Sequence, residues 1–256
     1  MALESSEGLR RDQRMAPPPA LDPKTYALFT DIDGTLVEIE QRPDLVEADA
    51  DLRATLSALV QRMDGAIAAL TGRRAEEANM VLGFALPFIA GLHGRELQRA
   101  GVSANVFDSA SLDPAREALA ARLMRDPLDI LIEDKGAGIA LHYRQAPALA
   151  GPVGDLAHAI AEAHGLEVLS GKMVVELLAP GASKGRALAT LMQEAPFAGR
   201  TPIAIGDDVT DESAFAAADA LGGFGILVGA VRETSSRFRL PSVASVRAWL
   251  EDGARA

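Results

Sequence analysis

The stretch Tyr26-Ala-Leu-Phe-Thr-Asp-Ile-Asp-Gly-Thr35 leads from an apolar run directly into two carboxylates. Its first four residues are typical of a buried strand in a parallel sheet, because both faces of such a strand are covered and the side chains need not alternate. Asp31 and Asp33 follow two residues apart, so in an extended chain both side chains leave on the same side. Gly34 then permits a sharp turn. The stretch therefore predicts one pocket that receives two acids.

Two carboxylates in one pocket each raise the pKa of the other, unless a cation lies between them or one of them holds a proton. Both arrangements indicate chemistry. The structural alternative is an acidic turn whose side chains only cap a helix. This stretch alone leaves both interpretations open, so other parts of the chain must decide between them.

The composition excludes several classes of function. The chain has 256 residues, 48% of them hydrophobic, which suffices for one large domain or two ordinary ones. The formal net charge is −11, and no run of basic residues offers a track for a phosphate backbone, so nucleic acid is not expected as a partner. The absence of cysteine excludes disulfides and thiolate metal sites, and the four histidines are too scattered for a zinc site.

The first 24 residues are polar and rich in arginine, and they lack the apolar core of a secretory signal. We interpret them as a poorly ordered leader. The longest apolar window, residues 81–92, is interrupted by Gly83 and Pro87 and is shorter than the roughly 20 residues that span a bilayer. We therefore expect a cytoplasmic protein without a membrane partner. A monomer is expected, and a partner enzyme is left open.

Polar residues follow several other predicted elements of the first domain. Predicted strands at residues 66–70 and 201–206 end in Thr71-Gly72-Arg73 and Asp207-Asp208, and Ser183 with Lys184 begins a helix. Hydroxyl, amide, guanidinium and ammonium groups at such ends can hold an anion, although Thr-Gly-Arg alone is more often a plain turn. Because ligands bind beyond the carboxyl ends of parallel strands, we expect these groups to lie near Asp31 and Asp33.

In residues 105–180 the predicted strands alternate between apolar and polar residues, which predicts a second layer with one exposed sheet face. Four strands are predicted at residues 129–133, 138–144, 167–169 and 172–178. His142 and Arg144 fall on one face of the second of these strands, and Lys172 and Glu176 share one face of the fourth. Such a polar face either meets solvent or binds a ligand, and the pattern alone does not choose.

The residue types at the strand ends favour phosphoryl chemistry. Carboxylates from two strands form a site of hard oxygen ligands, which favours Mg²⁺. Attack by Asp31 on a phosphate ester brings two anions together, so Mg²⁺, Lys184 and Thr71 would have to offset the charge. Asp33 could protonate the leaving oxygen and then activate the water that releases phosphate.

The order Asp-x-Asp-Gly-Thr, Thr-Gly-Arg, Ser-Lys-Gly, Gly-Asp-Asp resembles the haloacid-dehalogenase superfamily of aspartate-nucleophile phosphatases. The insertion between the second and third motifs looks like the α/β cap of its sugar-phosphatase branch. More closely, the chain is similar to trehalose-6-phosphate phosphatases over about residues 26–250. That resemblance is carried by residues 93–96, 133–136, 140–144, 171–176 and 206–212.

The resemblance implies an α/β fold: a Rossmann-like parallel-sheet core of the haloacid-dehalogenase type at residues 25–104 and 181–256, with an inserted smaller α/β cap domain at residues 105–180. It implies Mg²⁺-dependent hydrolysis of trehalose 6-phosphate through an aspartyl-phosphate, with Asp31 as nucleophile and Asp33 as general acid/base. The implied metal ligands and their neighbours are Asp31, the Asp33 carbonyl, Asp207, Asp208 and Asp211. The implied phosphate contacts are Thr71, Gly72, Arg73 and Lys184. The implied sugar contacts are Glu133, Lys172 and Glu176 in the cap, His93 and Glu96 in the core, and His142 and Arg144 nearer the hinge.

The chain departs from the family after Glu176, where a basic residue and a proline are usual. Here Leu178 and Ala179 stand before Pro180, which puts a contact from that basic side chain in doubt. Two other functions stay open: a capped phosphatase for sucrose phosphate or mannosylglycerate phosphate, and a receiver-like module that keeps the phosphate as a signal. Asp33 and an insertion of about 75 residues speak against the receiver-like module.

Overall fold

The computed structural model describes residues 15–40, 46–99, 102–105, 112–136, 138–181 and 183–255. The chain divides into two compact units, Met1–Ala104 with Ser183–Ala256 and Asn105–Ala182. We call them the first and the second unit. No helix in the described ranges has the length and apolar character needed to cross a membrane.

The elements follow each other in an α/β order. The first unit begins with β1 (Tyr26–Thr30), α1 (Ala50–Arg62), β2 (Ile67–Leu70), α2 (Ala75–Leu82), β3 (Phe88–Gly91), β4 (Glu96–Arg99) and β5 (Val102–Asn105). The second unit contains α3 (Asp113–Arg125), β6 (Leu131–Asp134), β7 (Gly138–His142), α4 (Ala150–His164), β8 (Glu167–Gly171) and β9 (Val174–Leu178). The first unit then continues with α5 (Lys184–Leu191), β10 (Thr201–Gly206), α6 (Glu212–Ala220), β11 (Phe224–Val228), β12 (Phe238–Leu240) and α7 (Val243–Arg255).

The sheet of the first unit has the order β12-β11-β10-β1-β2-β3-β4-β5. The strands from β12 to β3 pair in parallel, and β4 runs antiparallel to β3. Ala27, Leu28 and Phe29 of β1 are fully buried, as the continuous apolar run predicts. β1 lies between β2 and β10, so the residues that follow these three strands meet at one edge of the sheet. The predicted α/β class with a parallel-sheet core is confirmed.

The second unit is a four-stranded antiparallel sheet with two helices on one face. Its order is β6-β7-β9-β8. Ile139, Leu141, Val175 and Leu177 point to that face and form a core with residues of α3 and α4. On the opposite face the register places Glu133, Ala140 and Glu176 in one row across β6, β7 and β9.

The fourth predicted strand of the second unit begins later than expected. β8 and β9 pair as a hairpin closed by Gly171 and Val174, so Lys172 and Met173 form the turn. Met173 has a positive φ of 61°, which interrupts the side-chain alternation. The prediction that Lys172 and Glu176 share one strand face is therefore wrong.

Part of the predicted leader makes contacts with the first unit. Leu21 is 2% exposed and belongs to the core. The carbonyl of Pro19 accepts a hydrogen bond from Trp249 Nε1 at 2.8 Å, and the carbonyl of Ala16 accepts one from the Arg239 amide. Residues 1–14 lie outside the described residues. The buried leucine and these hydrogen bonds explain why residues 15–24 differ from the predicted leader.

The core beneath β1 contains a group of three phenylalanine rings, which predicts a stability effect. Phe197 is fully buried, and its ring centroid lies 5.1 Å from that of Phe29 and 4.9 Å from that of Phe88. Phe197→Ala should lower the free energy of unfolding by about 3–5 kcal/mol, because it leaves a cavity in a packed core. Phe84, which is 72% exposed, provides the control. Phe84→Ala should change stability by less than about 0.5 kcal/mol in the same urea titration, and equal losses would contradict the packing described.

Candidate active site

Three carboxylates from two strand ends meet at the edge of the first unit's sheet. Asp31 follows β1, and Asp207 and Asp211 follow β10. One ligand atom of each lies within 4.8 Å of those of the other two, and no other group of this kind occurs among the described residues. Asp31 and Asp211 are 7% and 2% exposed. The predicted convergence of these strand ends is thus observed for Asp31 and Asp207.

Lys184 brings a buried positive charge into this group. Ser183 caps α5, its hydroxyl accepting from the Arg186 amide, so Lys184 occupies the first position of the helix. Its Nζ donates to Asp31 Oδ1 and to Asp211 Oδ1, both at 2.7 Å. The ammonium group thereby links residues that lie far apart in the chain. Lys184 itself is only 3% exposed, so solvent does little to screen these two ion pairs.

The pKa values of this group reflect burial and charge together. Burial raises the pKa of Asp31 well above its ordinary value, and the carboxylates of Asp211 and Asp207 add to the effect while Lys184 opposes it. Burial alone would lower the pKa of Lys184, but the carboxylates of Asp211 and Asp31 outweigh it and raise the pKa. When all three acids are ionised, the one ammonium leaves two negative charges in excess. Hard oxygen ligands with that excess fit a divalent cation such as Mg²⁺.

Glycine is required where the backbone approaches two of these acids. Gly34 has a φ of 81°, and a Cβ there would lie 2.4 Å from Asp207 Oδ2. A Cβ at Gly206 would lie 2.1 Å from Asp211 Cγ. Both positions exclude any side chain, so the two glycines set how closely the acids approach the strands.

The structure distinguishes Asp208 from Asp211, both of which were predicted beside the metal. Asp208 Oδ1 accepts from the Val209 amide at 2.8 Å, and Asp208 lies outside the acidic group. Asp211 belongs to the group. Residues 209–211 form a single 3-10 turn, which carries Asp211 back toward Asp31 and Lys184. A reading of the strand pattern could not anticipate this turn.

Asp33 forms an ion pair with Arg73. Arg73 Nε donates to Asp33 Oδ2 at 2.7 Å, and Nη2 donates to Oδ1 at 2.6 Å. The contact is bidentate, a geometry that fixes the orientation of a carboxylate. Thr71 is buried, and its hydroxyl accepts from the Arg73 amide at 3.1 Å. Arg73 was predicted at the phosphate, and in this structure it holds Asp33.

The other predicted core residues lie beside Thr71. His93 is buried, with a positive φ of 55°. Its ring covers Gly72, where a Cβ would lie 2.8 Å from His93 Nε2. Glu96 Oε2 accepts from the Ala75 amide at 2.7 Å, so this carboxylate satisfies a free amide at the start of α2. The structure therefore gives Glu96 a helix-capping role.

A second cluster of ionisable groups lies on the polar face of the second unit. His142 Nε2 is 2.9 Å from Glu133 Oε2, and this hydrogen bond lowers the pKa of Glu133 despite partial burial. Lys135 Nζ donates to Glu176 Oε1 at 2.7 Å and lies 4.0 Å from Glu133 Oε2. Glu176 is 6% exposed. The face is therefore an organised polar cluster and differs from an ordinary solvated surface.

Sequence reasoning gave no role to Lys135, which the structure places at the centre of this cluster. The available signal was its position two residues after Glu133, which puts both side chains on one side of an extended chain. Arg144 and Lys172 lie at the hairpin end, where Arg144 Nη2 is 3.4 Å from the Lys172 carbonyl. The side chain of Lys172 is exposed.

The family model described as trehalose-phosphatase matches residues 29–244. The chain is similar to "Trehalose-6-phosphate phosphatase" of Escherichia coli (strain K12), with 39% identity over 233 residues that cover 88% of this chain and 85% of that one. It is also similar to the crystal structure of a "trehalose-6-phosphate phosphatase related protein", with 30% identity, a TM-score of 0.70, and coverage of 88% of this chain and 95% of that one. A haloacid dehalogenase-like hydrolase from Bacteroides thetaiotaomicron has 18% identity and a TM-score of 0.65, covering 89% of this chain and 98% of that one. This last likeness supports the predicted fold of haloacid-dehalogenase type.

Replacing Lys184 by methionine tests the buried charge group. Lys184→Met keeps an apolar stem but leaves Asp31 and Asp211 without their ammonium partner. Removing one partner of a buried ion pair typically costs about 3–5 kcal/mol, and we expect a loss of that size near pH 8 in metal-free buffer. Urea unfolding measures it. Lys24, whose side chain is 74% exposed in its ion pair with Asp64, provides the control. Lys24→Met should cost less than about 1 kcal/mol.

The pH dependence of the same variant has a defined sign. The pKa of Asp31 is raised in the folded state, so the folded chain binds a proton more readily than the unfolded chain does. The stability linked to such a group is present at low pH and is lost as pH rises through the folded pKa. Without Lys184 this effect should grow, so Lys184→Met should lose less stability near pH 5 than near pH 8. A loss that is the same at both pH values would contradict this account.

Proposed function

The chain belongs to the trehalose-phosphatase family and is a phosphoric monoester hydrolase, and from this premise we propose that it hydrolyses trehalose 6-phosphate through an aspartyl-phosphate on Asp31. One observation carries the proposal. A buried carboxylate that follows a central parallel strand contacts a buried lysine beside two further acids. Such a site offers a nucleophile together with the positive charge that a phosphate needs.

In the first step a carboxylate oxygen of Asp31 attacks phosphorus, and the bond between phosphorus and the sugar oxygen breaks. Lys184, 2.7 Å from Asp31 Oδ1, offsets the charge that builds up when carboxylate and phosphate meet. Asp33 carries the proton that it donates to the departing sugar oxygen, so one of its two bonds to Arg73 must open in this step. The products of this step are free trehalose and the phosphorylated Asp31.

In the second step water attacks the aspartyl-phosphate, and Asp33 accepts the proton of that water. Inorganic phosphate leaves and the Asp31 carboxylate is regenerated. Arg73 fits this scheme as the residue that aims the Asp33 carboxylate, through the bonds of 2.6 and 2.7 Å between them. Thr71 and the Gly72 amide are assigned to the phosphate oxygens.

We assign Mg²⁺ to the carboxylates of Asp31 and Asp207 and to the backbone oxygen of Asp33. Both oxygens of Asp211 accept hydrogen bonds, from Lys184 Nζ and from the Asp208 amide, so we assign Asp211 to holding Lys184. When bound, the ion would supply positive charge between the phosphate and the nucleophile. The excess of negative charge in the group supports this assignment.

The polar face of the second unit is assigned to the sugar, and the second unit thereby to the role of a cap. Glu133, Lys135 and Glu176 present carboxylates and an ammonium close together, which suits the hydroxyls of a sugar. His142 adjoins this cluster, and Arg144 and Lys172 are assigned to the sugar from the hairpin end. In the first unit, His93 is kept as a sugar contact, whereas Glu96 accepts from the Ala75 amide at the start of α2 through Oε2.

Phosphate release from a panel of sugar phosphates tests the proposed reaction. Trehalose 6-phosphate should be hydrolysed with a higher kcat/KM than sucrose phosphate or mannosylglycerate phosphate. Asp31→Asn should abolish turnover, because the amide has nearly the same shape but cannot attack phosphorus. An unchanged urea midpoint would show that the fold is intact. Wild-type activity in this variant would remove Asp31 from the role of nucleophile.

Metal depletion tests whether the proposed Mg²⁺ is required for activity. Treatment with a chelator should abolish activity, because the carboxylates and the substrate phosphate then repel each other and Lys184 alone cannot offset this repulsion. Added Mg²⁺ should restore activity. Full activity in excess chelator would overturn the assignment of Asp207 as a ligand.

Glu176→Gln tests whether the polar face of the second unit binds the sugar. The amide keeps the shape but weakens the bond to Lys135 and to sugar hydroxyls. We expect kcat/KM for trehalose 6-phosphate to fall by an amount equivalent to about 1–3 kcal/mol, the usual cost of a mismatched buried polar group. Hydrolysis of p-nitrophenyl phosphate, which has no sugar, should change far less. Parallel losses on both substrates would assign Glu176 to structure instead.

A further inference from the structure

The segment between β11 and β12, residues 229–237, contacts the acidic turn of the candidate site. We call residues 207–212 the acid loop. Arg232 lies in the connecting segment, and its guanidinium spans two points of the acid loop. Nη1 donates to the carboxylate of Glu212, and Nη2 donates to the backbone carbonyl of Asp208 at 2.8 Å. Glu212 is also bound from the other side, because Ser235 donates its amide and hydroxyl to Glu212 Oε2 at 2.8 and 2.7 Å.

The carbonyl that Arg232 holds is the one that closes the acid loop. Asp208 O accepts from the Asp211 amide at 3.1 Å, and the Asp208 amide donates to Asp211 Oδ2 at 3.0 Å. These bonds join the two ends of the turn that carries Asp207 and Asp211. A guanidinium on the same carbonyl limits its rotation, and with it the relative position of the two acids.

We propose that Arg232 is a positioning residue for the divalent cation: its guanidinium ties Asp208 to Glu212 and so keeps the proposed ligand Asp207 in place beside Asp211, which holds Lys184. The proposal rests on the proposed function, since it assumes that the acidic group binds Mg²⁺. Arg232 lies outside the motifs that define the site, and the sequence analysis gave it no role. It acts through the Asp208 carbonyl and the Glu212 carboxylate.

Charge and geometry predict opposite effects when Arg232 is removed. Loss of a positive charge leaves Glu212 unbalanced near the site, which would strengthen the attraction for a cation. Loss of the hydrogen bonds from Arg232 would let the acid loop change its conformation, which would weaken Mg²⁺ binding. Partners of this kind around a metal site typically contribute about 10-fold to 100-fold to metal affinity. The sign of the change in Mg²⁺ affinity therefore separates the two effects.

Isothermal titration of the substrate-free full chain with Mg²⁺ alone measures this sign. Arg232→Met should weaken Mg²⁺ binding by about 10-fold. The double variant Arg232→Met with Glu212→Gln removes one charge of each sign, so it should also bind Mg²⁺ more weakly. Arg232→Lys keeps the charge but offers a single nitrogen, and we expect an intermediate affinity. Arg232→Lys also serves as the test if Arg232→Met does not fold.

Arg237→Met is the matched control. Arg237 lies in the same connecting segment and bonds to Asp219 of α6 at 2.7 Å, with both side chains more than half exposed. Its removal loses an ion pair between the connecting segment and α6 and leaves the hydrogen bonds of the acid loop in place, so the Mg²⁺ affinity should match the wild type. Unchanged or tighter Mg²⁺ binding in Arg232→Met would overturn the proposal, as would equal weakening in Arg237→Met. A wild type that binds no Mg²⁺ would overturn the metal assignment itself and this inference with it, and that outcome is distinguishable because it requires no variant.

Discussion

A buried ammonium group holds the candidate active site together. Lys184 contacts Asp31 from the centre of the sheet and Asp211 from the acid loop, and its side chain is 3% exposed. Packing three carboxylates this closely, two of them buried, requires a nearby cation, because burial and mutual repulsion both oppose their ionisation. Lys184 supplies part of the charge and leaves an excess that a divalent ion would satisfy. The proposed chemistry thus depends on the contacts of Lys184 with Asp31 and Asp211, and the same contacts join α5 to the ends of β1 and β10 in the first unit.

Strand order explains why so few residues suffice to form this site. β1 pairs with β2 on one side and with β10 on the other, all in parallel. Three strand ends therefore meet, and Asp31, Thr71 and Asp207 come together without long connecting loops. α5 begins close by and adds Lys184 from its first position. Each functional side chain lies at the end or the start of a regular element, so its position follows from the packing of the core.

The sequence predicts the structure where the hydrophobic pattern of a segment matches the backbone conformation that the segment adopts. The apolar run of β1 is buried as a central strand, and the acids after it lie at the edge of the sheet. Other features depend on backbone conformations that no residue type in the sequence indicates. Met173 adopts a positive φ without being glycine, and this moved Lys172 from a strand into a turn. The 3-10 turn at residues 209–211 brought Asp211, and not Asp208, into the acidic group. Leu21 looked like part of a polar leader because one buried leucine among prolines produces no periodic pattern.

The pairing of β1 with β10 also has a consequence for how the chain is made. β1 is complete by residue 30, but its neighbour β10 begins at residue 201, after the whole second unit. Until that point in synthesis, one side of this buried strand is an open edge, with unpaired backbone groups beside Ala27, Leu28 and Phe29. Such an edge is prone to pair with other chains. The nascent protein therefore carries an aggregation-prone edge while its second unit is emerging from the ribosome.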